Sequence, residues 1–138
     1  MYSMLRALAR PLIAAIFVSG GLDAARNPGG RARAAASIGV PQPELAVRAN
    51  GAVMVLAGLA FGLGVFPEWA AGTLAASLIP TTIAGHPFWK EADPQKRTGQ
   101  RIHFLKNVAM IGGLLLAAAE ERHARILDAA QEMLRQAA

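Results

Sequence analysis

The chain alternates long uncharged stretches with short polar ones. Residues 49–67 carry no charged side chain, and neither do residues 69–89. At about 1.5 Å of rise per helical residue, each run is long enough to cross a hydrocarbon core of about 30 Å. This pattern predicts four membrane segments, at about residues 3–25, 48–66, 69–88 and 102–119, followed by an amphipathic helical tail over residues 120–136. In the first segment the unbroken apolar section, Pro11–Leu22, is too short to span alone. Arg6 and Arg10 lengthen it by laying their aliphatic stems along the helix and their guanidinium groups among the headgroups.

Proline and glycine punctuate these segments. Pro28-Gly29-Gly30 stops the first helix, and Pro41 and Pro43 delay the next. The alanine-rich piece between them reads as a short interfacial helix, with Arg31 and Arg33 in the headgroups. Gly58 and Gly62 form a small-xxx-small face for close helix packing. Pro67 and Glu68 make a tight turn. Pro80 interrupts the third segment and frees a carbonyl, with Thr81 and Thr82 placed to supply hydroxyls. Trp69 and Trp89 suit aromatic anchors at opposite interfaces. Lys90–Arg101 reads as a polar connection. In the tail, Ile126, Leu127, Ala130 and Leu134 share one face, and Glu121 and Arg125 have i,i+4 spacing. The expected fold is therefore all-α: a four-helix transmembrane bundle in a single domain, residues 1–138, with a short amphipathic C-terminal helical extension.

Composition agrees with a membrane setting. The 138 residues suit one domain, with 54% apolar and only 17% charged residues. The net charge of +5 does not point to nucleic acid, because the basic residues flank apolar segments and form no aromatic-interleaved groove. Anionic lipid headgroups are the simpler partner. The chain has no cysteine, which excludes disulfides, thiolate catalysis and Cys-ligated metal centres within it. The basic, apolar amino terminus reads as a retained first helix. Nine basic residues lie in and around the first and third connections against five at the two ends, so the positive-inside bias puts those connections in the cytoplasm.

The chemistry rests on polar groups at membrane depth. Asp23 with Arg26, and Glu44 with Arg48, have the spacing of local helix pairs. His103, Lys106 and Asn107 lie along one side of the fourth segment. An up-down order brings them to the membrane side where His86, Asp23 and Arg48 also lie. Such a cluster, with a lysine donor and histidines that titrate near neutrality, suits the headgroup of a quinone whose tail stays in lipid. It equally suits an interhelical polar clamp with a snorkelling lysine. Neither the spacing nor the residue types point to a metal or haem site, and no nucleophile elbow or phosphate loop is present.

Several stretches resemble the DoxX family of small bacterial membrane proteins: RPLIAAIFVSGGLD (10–23), GLAFGLGVFP (58–67), HPFW (86–89) and, most specifically, HFLKNVAMIGGLLLAA (103–118). The resemblance implies a multi-pass inner-membrane protein and carries over His86, Lys106, Asn107, Gly112 and Gly113, the two glycines as helix-packing positions. It implies a non-catalytic component of a redox or oxidative-stress-defence assembly, with superoxide dismutase and a sulfurtransferase as partners. The alternatives are a quinone-linked oxidoreductase subunit acting on thiosulfate, with His86, His103 and Lys106 near the quinone headgroup, and a small-solute transporter. The small-residue faces also permit a homo-oligomer.

Overall fold

The computed structural model describes residues 2–137, and all regular structure among them is helical. There are five α-helices: α1 (Tyr2–Arg26), α2 (Gly29–Ala36), α3 (Pro43–Leu63), α4 (Pro67–Gly85) and α5 (Pro94–Ala137), with a 3₁₀ turn at Phe88–Lys90 before the last.

The boundaries follow local chemistry. Asn27-Pro28 separates α1 from α2. Proline stands at the first position of α3 and of α4, where its missing N–H costs nothing. The residue before each of these prolines, Gln42 and Phe66, takes a left-handed conformation, with φ of 46° and 44°. Gly64, at φ 72°, ends α3. Its N–H donates to the Phe61 carbonyl at 3.1 Å, and that of Val65 donates to Ala60 at 2.8 Å, closing the exposed carbonyls.

The helices pack in series, α1 on α3, α3 on α4 and α4 on α5, while α2 lies against α3 and α4. The α1–α3 contact is set by small residues. A Cβ on Gly21 would lie 2.6 Å from the Gly51 carbonyl oxygen, and one on Gly51 would lie 2.6 Å from that of Gly21. Further along, Gly58 faces Val18 and Phe17, and Gly62 faces Ala14. Backbones this close gain dispersion contacts, which membrane helices need where water provides no drive to associate. Phe17, Phe61, Leu74 and Leu114, all fully buried, fill the centre.

Two expectations are corrected. Three helices, α1, α3 and α5, are long and apolar enough to cross a membrane. The expected third spanning segment, α4, is not among them. Its Thr73, Ser77, Pro80, Thr81 and Thr82 lower its hydropathy, and it holds seven buried residues, Ala70 to Thr82, at the centre of the packing. Nor is there a short C-terminal extension. The fourth segment and the tail form one 44-residue helix. No glycine or proline follows Gly113, so nothing stops the helix at Ala119. The same helix begins at Pro94, inside the expected polar connection. Asp93 caps it, its Oδ1 accepting from the N–H groups of Gln95 at 2.8 Å and Lys96 at 3.1 Å.

Candidate ligand cavity

Pro80 and the threonines beside it shape the centre of the site. The proline cannot donate to the carbonyl one turn back, and the hydroxyls that follow serve the next two. Thr81 Oγ1 donates to the Ser77 carbonyl at 3.0 Å, and Thr82 Oγ1 donates to that of Leu78 at 2.6 Å. Each hydroxyl also accepts from a neighbouring helix. Asn50 Nδ2, on α3, donates to Thr81 Oγ1 at 3.2 Å and lies 3.4 Å from the Ser77 carbonyl. Asn107 Nδ2, on α5, donates to the buried Thr82 Oγ1 at 3.1 Å. The two asparagine amides thus pin α3 and α5 to α4 at one height, each keeping its carbonyl oxygen as an acceptor.

Above them lies the His86 corner. His86 ends α4, and its Nδ1 is 2.8 Å from Gln100 Oε1. This bond ties the end of α4 to the first turns of α5. His103 stacks on His86 with ring centroids 5.2 Å apart. Phe88, Trp89 and Phe104 pack edge to face next to this pair.

His86 lines one end of a cavity of about 610 Å³. Its walls are apolar, with Ile16, Phe17, Ala24, Met54, Leu78 and Met110. Its polar lining is Asn50, Thr81, His86, Lys106, Asn107 and Arg31, with no carboxylate among the lining residues. Lys106 is solvent-exposed at the rim. The cavity is thus an amphipathic pocket: an oily body under a band of polar groups.

The sequence-predicted residues separate into two groups. His86, Lys106 and Asn107 line the cavity, and His103 stacks on His86 from outside the lining. Asp23 and Arg48 do not line it. Asp23 is paired with Arg31 at 2.8 Å and accepts from Asn27 at 3.0 Å, rather than bonding Arg26. Arg48 pairs with Glu44 at 3.0 Å and donates to the Ala25 carbonyl at 2.6 Å, closing the end of α1. Gly58 and Gly62 lie in the α1–α3 contact, whereas a Cβ on Gly112 or Gly113 would meet nothing within 4 Å.

Sequence reading missed two features. One is the Asn50–Thr81 bond and its position in the cavity wall. Asn50 was legible as a lone amide within an apolar run, and that was the available signal. The other is an ionic layer at the opposite end of the bundle. Glu121, with its side chain 11% exposed, pairs with Arg10 at 2.5 Å and Arg6 at 3.6 Å, joining α5 to α1. Arg125 pairs with Glu68 at 2.6 Å, joining α5 to α4. Glu121 and Arg125 therefore bond across helices and not to each other. Arg10 Nε is buried without an acceptor among the described residues.

Residues 5–87, α1 through the end of α4, match the DoxX family. The matched region includes Asn50, Thr81, Thr82 and His86 and excludes α5, on which the most specific part of the sequence resemblance lay. No curated protein and no solved structure matches the chain. The match spans more than half of the chain, and with three membrane-length apolar helices it places the protein across the inner membrane as a multi-pass member of the DoxX family.

Proposed function

We propose that this protein is a non-catalytic membrane component of a redox or oxidative-stress-defence system, and that it holds a membrane-soluble ligand of the quinone class. The observation that carries this reading is the cavity: an apolar body of the right character for a substituted ring and isoprenoid tail, under Asn50, Asn107, His86 and Lys106. A quinone's carbonyl oxygens accept from the Lys106 ammonium and from the second N–H of the Asn107 amide, while its tail needs no polar partner. The chain has no cysteine to carry an electron-transfer cluster or thiol redox couple, so in this reading a partner performs the oxidation or reduction. The exposed Ile126, Leu127, Met133 and Leu134 on the last turns of α5 support membership of an assembly.

The test is retention of quinone by protein purified from its own membrane into lipid nanodiscs. Lys106→Met removes a charge-assisted donor, a contact of about 1.5–3 kcal/mol, and is expected to lower retained quinone roughly tenfold or more. Equal retention by parent and variant would count against the site.

A further inference from the structure

The geometry points to a lateral opening between α1 and α5 through which the cavity takes its ligand directly from the bilayer. This rests on the cavity reading above and specifies the source of the ligand: a bilayer-resident amphiphile, not a water-soluble substrate. Three observations support it.

First, the series α1–α3–α4–α5 is closely packed at each step, but the pair that would close the ring, α5 with α1, does not pack along its length. Second, both helices contribute to the cavity wall, α1 through Ile16, Phe17 and Gly20 and α5 through Asn107 and Met110. Among the described residues the cavity therefore reaches the seam between the two long helices that packing leaves open, with Gly30, Arg31 and Ala34 of α2 at its upper end. Third, the two helices are fastened below the cavity by Arg10 and Arg6 on Glu121. Gly20 lies ten residues beyond Arg10 and Met110 eleven before Glu121. At about 1.5 Å per residue both stand roughly 15 Å from that fastening, at the same height in the cavity wall.

The surroundings decide what passes. At this height α1 lies in its uncharged stretch Pro11–Leu22 and α5 in its uncharged stretch Asn107–Ala119. Ile16, on the α1 lip, is 41% exposed. Acyl chains, not water, face such a seam. A molecule sliding in from the side brings its tail through the apolar lips and meets Lys106 and Asn107 with its head. A hydrophilic anion would have to shed its hydration shell to follow this path.

The cysteine-free chain allows a direct test. Gly20→Cys and Met110→Cys are introduced together and bridged in liposomes with a bis-maleimide. Two probes are read: uptake of a decyl-benzoquinone from the bilayer, and photolabelling by a phospholipid carrying a diazirine near the end of its acyl chain. We expect bridging to reduce quinone uptake at least tenfold and to abolish acyl labelling of the cavity residues Met54 and Leu78. Protein loaded before bridging should keep its quinone, and each single-cysteine variant should take up quinone equally with and without the bis-maleimide. Undiminished labelling of Met54 and Leu78 after bridging would overturn the lateral route, as would their failure to label in the unbridged protein. Because the lipid probe reports access without reference to quinone, acyl labelling that is lost on bridging while quinone fails to bind would retain the opening and reject the quinone reading.

Discussion

Gly21 and Gly51 face each other across the α1–α3 crossing so closely that a single added methyl group on either would reach 2.6 Å from the other's backbone oxygen. The contact is between backbones, so no side-chain rotation can relieve it. We expect Gly51→Ala to destabilise the fold by about 1–3 kcal/mol, the usual cost of overpacking. Unfolding in mixed micelles would measure it. Gly112→Ala, with open space around the new methyl, is expected to stay within about 0.5 kcal/mol of the parent. Equal effects at the two sites would contradict the crossing.

Removing the charge of Glu121 leaves Arg10 half-enclosed without its counter-ion. Breaking a buried pair this way costs about 3–5 kcal/mol, and the partial exposure of Arg10, 21%, brings the expectation to the lower end or beneath it. Glu121→Gln should therefore lose more stability than Glu44→Gln, whose carboxylate is 66% exposed and whose change should cost no more than about 1 kcal/mol. Replacing Arg10 and Glu121 together by leucine is expected to recover stability relative to Glu121→Gln alone. The same micelle unfolding assay compares all four proteins.

The Asn107–Thr82 bond joins α5 to α4 out of contact with water. Interhelical hydrogen bonds of this kind couple by about 0.6 kcal/mol on average in membrane proteins. A double-mutant cycle of Asn107→Leu and Thr82→Val is expected to return a coupling of about that size. A value indistinguishable from zero would show that the two residues act independently.

At the start of α5, Asp93→Ala removes the acceptor for the Gln95 and Lys96 N–H groups. Loss of an N-cap costs about 1 kcal/mol, felt locally. Faster hydrogen exchange over residues 94–98, with exchange near Leu114 unchanged, is the expected signature. Uniform acceleration along α5 would point to global destabilisation instead.

Local chemistry was the legible part of this molecule. The Glu44–Arg48 pair formed as its i,i+4 spacing suggests, and the breaks at Pro28 and before Pro43 and Pro67 lie where proline chemistry requires. Errors arose where a local pattern competed with a distant partner or was overridden by an absence. Asp23 has Arg26 on the next turn yet bonds Arg31, since α2 folds back alongside it. Glu121 has Arg125 one turn away yet reaches α1, because the bundle brings Arg10 nearer. The tail looked separate from the fourth segment because its polarity changes at Glu120. A change of polarity alters what a helix faces without ending it. The Asp93-Pro94 start was readable as a cap followed by an N1 proline, but the surrounding charges suggested a loop. Of the cavity, the polar lining His86, Lys106 and Asn107 was legible as a cluster, but its apolar body was not, since residues of all five helices assemble it.

The two charged layers described above stand unusually close together. Between Arg10 and Asp23, α1 has twelve uncharged residues, and between Lys106 and Glu120, α5 has thirteen. Those stretches measure about 18 and 20 Å along the helix, against a hydrocarbon core of about 30 Å. Arg10 and Lys106 extending their stems toward the headgroups, or local thinning of the bilayer, meets this difference. Where thinning meets it, a neighbour with a short span shares the thinned bilayer at lower cost than it would stand in flat bilayer.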